Sequence, residues 1–269
     1  MATFRLCLNL LLASLLLHQL LSTVAHTNEV ENQHDFTYSV NMTTGPHNWG
    51  KLNPNWTACG IGQFQSPIDL VDSRVVVLPA LGSVIRLHKP APAQVQNRGH
   101  DITVKWVGDA GGVIINGTMY KLQQCHWHTP SEHTVEGRKY PMEMHMVHQD
   151  SRGQIAVIGL LYNVGTQDPF LASLLRNNRN ISHIGQHMGV VDPNQIRFES
   201  RHYLRYIGSL TTPPCTEGVI WTILRQRSTV SVRQIKGLRR AVEDGFENNA
   251  RPIQHYTKPV FINRPDREP

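Results

Sequence analysis

The 269-residue sequence predicts a mainly β fold built as a single domain. Two observations carry that expectation. Short apolar runs recur along the chain, each bounded by Gly, Pro or Asn, which is the pattern of strands separated by turns. Only two segments show the apolar spacing of an amphipathic helix. No internal repeat, linker or low-complexity stretch interrupts residues 36–269, so one domain accommodates them.

The amino terminus opens with Arg5 and a leucine-rich run over 6–21, closed by Ser22-Thr23-Val24-Ala25. This is the pattern of a secretory signal peptide covering residues 1–25. Asn9, His18 and Gln19 interrupt the run, which is too short and too polar to span a membrane. No later run reaches that length and the tail 264–269 carries no hydrophobic anchor, so no membrane span is expected. Residues 26–35 are polar and read as a flexible segment.

From Phe36 to Trp56, aromatic residues alternate with Gly, Pro and Asn, as in an irregular segment wrapped over a domain. Strand-like runs follow at 75–78, 84–87, 102–106, 113–115 and 118–128. The run 155–162 is apolar apart from Gly159, and 219–224 nearly so; both read as central strands covered on two faces. Of the two helices, the first has Asp168 as its cap and Pro169 at its first position, with Phe170, Leu171, Leu174 and Leu175 on one face. Ser231 caps the second, whose stripe is Val232, Ile235, Leu238 and Val242.

The formal net charge is +6. Its basic residues are dispersed except over 233–240, where they punctuate the second helical pattern as a solvated face, so no nucleic-acid partner is expected. Of four cysteines, Cys7 leaves with the signal. Cys59 and Cys215 lie in turn-like, Gly- and Pro-rich surroundings and are paired here as a disulfide. Cys125 sits mid-strand and suits a buried thiol. Sequons at Asn41, Asn55, Asn116 and Asn180 are candidate glycan sites in a chain routed for secretion. The route leads to a secreted or extracellular location and is also compatible with delivery to a plastid.

Chemistry concentrates in Gln124-Cys125-His126-Trp127-His128-Thr129-Pro130-Ser131-Glu132-His133 and in Glu143-Met144-His145-Met146-Val147-His148. Side chains alternate faces along a strand, so Gln124, His126 and His128 share one face, and Glu143, His145 and Val147 share another. If the two strands are neighbours, about 4.8 Å apart with alternate residues roughly 6.7 Å apart, His145 completes a triangle around an ion needing ~2.0 Å to each nitrogen. Three neutral imidazoles with one open position form a catalytic rather than a structural zinc pattern. Glu143 and Gln124, each two residues from a ligand, are placed to fix imidazole tautomers. His133 and His148 fall outside the triangle and read as structural, hydrogen-bonded histidines. In Gly208-Ser209-Leu210-Thr211-Thr212-Pro213-Pro214-Cys215, a threonine hydroxyl that donates to a carboxylate must accept from its other neighbour, which would orient a nucleophile beside a metal.

His-Trp-His, Ser-Glu-His-Thr, Glu-Met-His-Met-Val-His and Ser-Leu-Thr-Thr-Pro-Pro, in this order, resemble the α-class carbonic anhydrases, most of all the secreted plant members. Gln65-Ser66-Pro67-Ile68-Asp69 and Arg98-Gly99-His100 add to the match, which runs from about Phe36 to Ile262. The resemblance implies a ten-stranded, mostly antiparallel twisted sheet with short peripheral helices. It implies Zn²⁺ on His126, His128 and His145, with Gln124 and Glu143 behind them. Thr211 with Glu132 would orient the zinc-bound hydroxide and Thr212 would lie near bicarbonate. Val147, Val157, Leu210, Val219 and Trp221 would line the carbon dioxide pocket, His100 would shuttle the proton, and Cys59 would bridge Cys215. Lys51 and Arg98 depart from the pattern seen in many animal members, at positions that help order water toward His100.

The activity so implied is reversible hydration of carbon dioxide to bicarbonate. The alternative is a storage or binding protein on the same fold, which would be expected to lose ligands or the Thr–Glu pair; all are retained here. A zinc peptidase would need a His-Glu-x-x-His helix, which is absent. Nothing in the sequence sets the oligomeric state.

Overall fold

The computed structural model of the chain describes residues 35–177, 185–198 and 201–263. The expected signal peptide, residues 26–34, the Asn180 sequon, the Leu175 side chain and the tail beyond 263 lie outside the described residues.

Fifteen strands form among the described residues: β1 (Asp69–Leu70), β2 (Val75–Val77), β3 (Ile85–Arg86), β4 (Ala91–Asn97), β5 (Ile102–Trp106), β6 (Gly112–Ile115), β7 (Thr118–His128), β8 (Thr134–Val135), β9 (Arg138–Lys139), β10 (Met142–Gln149), β11 (Ile155–Val164), β12 (Gln186–Val191), β13 (Tyr203–Ser209), β14 (Glu217–Val230) and β15 (Val260–Asn263). Twelve belong to one sheet, in which ten run in the order β12-β4-β5-β7-β10-β11-β14-β13-β15-β2, while β3 and β6 pair to one side. A small second sheet holds β1, β8 and β9. The mainly β class and the predominance of antiparallel pairing match expectation, and the strand count is somewhat higher. The exceptions to antiparallel pairing are β11 with β14, β15 with β2 and β1 with β8.

The two runs read as central strands occupy the middle of the sheet. β11 is buried from Ile155 to Tyr162, as a strand covered on both faces must be. On one face Cys125, Trp127, Met144, Met146 and Ile158 join a core cluster. On the other, Val147, Val157, Leu210, Val219 and Trp221 join a second. Strand parity therefore sorts these side chains as the sequence requires.

Two apolar runs turn out differently. β2 lies at the sheet edge, with Val76 and Val77 each 49% exposed, and Ile85 of β3 is 52% exposed. Their β-branched residues favour strand without burial. β4, β12, β13 and β15 carry a weaker sequence signal, because small or polar residues interrupt the first three and β15 offers only three apolar residues in a row. The 116–117 turn between β6 and β7 is an Asn-Gly hairpin with both φ angles positive, 49° and 77°, the conformation that this pair tolerates best.

Four helices matter to the packing: α1 (Trp49–Leu52), α2 (Ala58–Ile61), α3 (Pro169–Asn177) and α4 (Val232–Ala241). Asp168 caps α3 by accepting from the Leu171 N–H at 2.7 Å. Phe170, Leu171 and Leu174 are all buried, and burial of such side chains is worth about 1.5–3 kcal/mol each. Ser231 caps α4 through a reciprocal box with Gln234, and the Gln234 amide also bonds the backbone N–H and C=O of Asp168, joining the two helices. Ile235 and Leu238 are buried as expected, whereas Val232, in the first turn, stands 49% exposed.

Residues 36–56 form turns and short helical pieces whose aromatics bury themselves. Phe36, Tyr38, Trp49 and Trp56 pack with Phe246 and with the Cys59–Cys215 disulfide in a third cluster. Cys125 is free and buried.

Candidate metal centre

β7 and β10 are neighbours, and their register sets His145 directly opposite His126 and Glu143 directly opposite His128. The three imidazoles offer ligand nitrogens that all lie within 4.8 Å of one another, and all three side chains are buried. The ring centroids are 4.5–5.1 Å apart.

Each ring has one nitrogen committed to an acceptor, which fixes its tautomer. His126 Nδ1 donates to Gln124 Oε1 at 2.8 Å. His128 Nδ1 donates to the Asn249 carbonyl at 2.7 Å. His145 Nε2 donates to Glu143 Oε1 at 2.9 Å. The remaining nitrogens are therefore His126 Nε2, His128 Nε2 and His145 Nδ1, each carrying a lone pair. Burial lowers the His145 pKa, and although Glu143 works against that, the net direction favours the neutral imidazole a metal requires.

Glu143 is held from four directions. Oε1 also accepts from His133 Nδ1 at 2.7 Å, and Oε2 accepts the backbone N–H groups of Glu132 and His133. Burial alone would raise its pKa, but His133 and His145 hold it well below the usual range. Gly159 explains the one gap in the apolar β11 run: a Cβ there would lie 3.1 Å from Glu143 Oε1 and 2.6 Å from Ile223 Cδ1.

His133 is structural, as its place outside the triangle suggests. With Nδ1–H committed to Glu143, its Nε2 accepts from the Tyr206 hydroxyl at 2.6 Å, which in turn accepts from Ser66 Oγ at 2.9 Å. His148 also turns away from the centre and stacks on His88, with Nε2 atoms 3.0 Å apart. Arg86 Nε donates to His88 Nδ1 and His148 Nδ1 donates to Met146 O, so His88 Nε2–H must donate to His148 Nε2. Both rings are neutral in this chain of bonds.

Burial, then His148 and Arg86, bring the His88 pKa down to about 2. Burial brings that of His148 to about 4. The unfolded chain, with histidines near 6.5, therefore binds more protons than the fold below that pH. Stability contributed by the neutral pair is expected to fall as pH drops from about 6.5 toward 4. Urea midpoints measured at pH 7 and pH 4.5 should show a larger loss for the natural protein than for the H88Q/H148Q double variant; equal losses would show that the pair carries no such term.

Glu132 is 0% exposed. Its Oε1 accepts the Arg251 N–H at 2.9 Å, while Oε2 lies 3.5 Å from His128 Nε2. The expected Thr211–Glu132 hydrogen bond is not formed in this conformation. Glu132 Oε2, His128 Nε2 and Thr212 Oγ1 are each buried without a hydrogen-bond partner. Orphaned buried polar atoms are costly, and beside three neutral imidazoles they fit a site made to take a cation and its ligands. Trp221 packs its ring 4.8 Å from that of His145 and donates to Ser209 O at 2.9 Å. A cavity of about 260 Å³ is lined by polar Arg98, Lys105 and Gln124 and by apolar Val147, Ile155 and Leu210.

His100 stands apart from the triangle and is 0% exposed. Arg98 is salt-bridged to Asp101, so the charge that departs from the familiar pattern is offset. Burial would raise the Asp101 carboxyl, but Arg98 and His100 hold it below its usual range.

Several supporting residues have no sequence signature. Asn249 serves His128 through a backbone carbonyl, while its side chain accepts from Thr129 N and donates to the carbonyls of Trp127 and His100. Arg251, 1% exposed, ties Gln65, Ser66 and Cys59 to the segment that holds Glu132. Arg251 has no local pattern because its partners are far away in the chain, and a carbonyl acceptor leaves no residue-type signal at all.

A three-histidine centre on the inner strands of a large twisted sheet defines the class of protein. The family model for eukaryotic-type carbonic anhydrase matches residues 44–263, and the chain belongs to that family. It is 51% identical to alpha carbonic anhydrase 4 of Arabidopsis thaliana over 230 residues, covering 86% of this chain and 85% of the relative. It is also 41% identical to dioscorin dioA3 of Dioscorea japonica over 250 residues, covering 92% and 90%. Among solved structures, dioscorin complexed with ascorbate superposes with a TM-score of 0.83 at 40% identity, covering 87% of this chain and 99% of that one. The α-carbonic anhydrase of Thermovibrio ammonificans with the inhibitor sulfanilamide gives 0.75 at 35% identity, covering 87% and 100%.

Proposed function

We propose that this protein catalyses the reversible hydration of carbon dioxide to bicarbonate and a proton, with Zn²⁺ held by His126, His128 and His145. The observation that carries this reading is the tautomer set: three buried imidazoles, each with one nitrogen tied back to an acceptor, leave three lone pairs within 4.8 Å of one another. Zinc bound there supplies Lewis acidity, which makes hydroxide available near neutral pH, the established chemistry of carbonic anhydrases.

The chain's own residues do the rest. Gln124, Asn249 and Glu143 hold the imidazole tautomers. A carboxylate at Glu132 can only accept, so a Thr211 hydroxyl turned to it donates its single proton and keeps its lone pairs for the nucleophile. Thr212 Oγ1, buried without a partner, is placed to bond the product. Val147, Val157, Leu210, Val219 and Trp221 belong to one buried apolar cluster, of which Val147 and Leu210 line the cavity, an apolar wall suited to carbon dioxide and to excluding water. His100 is the group we assign to carry the proton to solvent. Routing through the secretory pathway is supported by the Cys59–Cys215 bridge, since disulfides persist in oxidising compartments. Exposed sequon asparagines at 41, 55 and 116 agree with it.

The dioscorin relatives favour a second reading, a binding or storage protein that takes ascorbate. Stopped-flow hydration assays on purified protein, with zinc content measured on the same sample and ascorbate binding followed by calorimetry, separate the two. The first reading expects about one zinc per chain and hydration blocked by sulfanilamide. Stoichiometric zinc without hydration, or ascorbate binding alone, would favour the second.

A further inference from the structure

The ring of His100 is covered by a strap of chain. Phe36 lies over it with ring centroids 5.5 Å apart, and Phe246 flanks it at 6.4 Å. Phe36 is itself 0% exposed and makes edge contacts with Tyr38, Trp49, Trp56 and Phe246 at 5.2–6.4 Å. Four backbone hydrogen bonds close within the strap, from Thr37 N–H to Thr44 O, Met42 to Ser39, Gly45 to Met42 and Asn48 to Gly45, while Asn48 O accepts from Lys51 N–H beyond it. Trp49 Nε1 donates to the carbonyls of Thr37 and Thr44, both at 3.1 Å. The strap is thus held by bonds of its own and seated by aromatic contacts and by Trp49 Nε1. Its outer turn faces solvent, with Val40 49% and Met42 53% exposed. Segments of this kind open locally at lower cost than core strands.

Beneath the strap, His100 lies outside the histidine triangle and is linked to it through Asn249. Its Nε2 is 3.7 Å from Asp101 Oδ2; Asp101 pairs with Arg98, and Arg98 lines the cavity. His100 O accepts from Asn249 Nδ2, and Asn249 O accepts from His128 Nδ1.

We propose that residues 36–48 form a gate over His100 and that Phe36 is the positioning residue that holds it shut, an inference resting on the reading of His100 as proton carrier. A relay must exchange its proton with solvent or buffer, and a ring under a closed strap has no such access. Lifting the strap as a unit breaks ring contacts and the two bonds from Trp49 Nε1, while the hydrogen bonds within it persist. The opening then limits how often His100 can discharge.

The test compares the zinc-loaded natural protein with Phe36→Ala and Phe36→Leu, the latter keeping most of the apolar volume so that the fold is retained. Carbethoxylation of His100 by diethylpyrocarbonate, followed by peptide mass spectrometry, reads access without reference to activity. It is expected to accelerate roughly tenfold in Phe36→Ala and by less in Phe36→Leu. Turnover in dilute buffer should rise in Phe36→Leu, and the rise should vanish in the Phe36→Leu/His100→Ala double variant. Unchanged carbethoxylation in Phe36→Leu overturns the gate. Faster carbethoxylation with no gain in turnover, or a gain that survives without His100, overturns its link to proton transfer while the cover itself stands. If the natural protein hydrates no carbon dioxide, the proposed function fails independently of the access measurement.

Discussion

His145→Ala protein is expected to retain little zinc and to show no carbon dioxide hydration above background. His145 is the one member of the proposed ligand set that comes from β10, and its Cα partner is His126 on β7. Two imidazoles and water cannot reproduce the chelate that three provide. Loss of a group that merely orients a ligand typically costs 10–100-fold in affinity, so loss of a ligand should cost more. Glu143→Gln should fall in that smaller range, because it keeps the shape but removes the charge that accepts from His145 Nε2 and His133 Nδ1. His148→Gln should retain zinc, since that ring turns to His88. Metal content by mass spectrometry, with circular dichroism to confirm folding, checks all three. Full zinc occupancy in His145→Ala would sink the assignment.

Thr211→Ala should lower turnover by roughly a hundredfold with zinc retained, the scale of removing one preorganised hydrogen-bonding group. Glu132→Gln should cost a similar amount for a different reason. An amide can donate as well as accept, so it no longer dictates which way the Thr211 hydroxyl points. Because the two groups act as one unit, the double variant should be little worse than either single one. Glu132 Oε2 has no partner in the present conformation while Oε1 is taken by Arg251 N–H, so the oxygen needed for Thr211 is available. Unchanged turnover in Thr211→Ala, or strictly additive losses, would refute the coupling.

The parts of the fold legible in the sequence are those governed by local period. Alternation over β7 and β10 sorts ligands from core residues, and the caps at Asp168 and Ser231 mark both longer helices. Apolar runs at 75–78 and 84–87 read as strand correctly, yet their burial does not follow, because edge position is a property of the assembled sheet. β4 and β12 escape notice since what places them is pairing, β12 with β4 and β4 with β5, more than residue type.

The same division runs through the site. Ligand identity and the shared face of His126 and His128 follow from strand geometry within one segment, where side-chain direction depends on backbone dihedrals alone. That His145 stands opposite His126 required the β7–β10 register. The acceptor for His128 is a carbonyl 121 residues away in sequence, and the Arg251 N–H that meets Glu132 is 119 away. His100 is recognisable from its neighbours in the chain, whereas its burial is decided by Phe36, brought over it by tertiary packing. Sequence by itself thus determines which metal-capable residues cluster in the chain and which face of their own strand they take. Tertiary structure alone decides register, solvent access and the acceptor that sets the His128 tautomer, because each depends on a partner that no local pattern specifies, whereas Gln124 and Glu143 set the tautomers of His126 and His145 from two residues away.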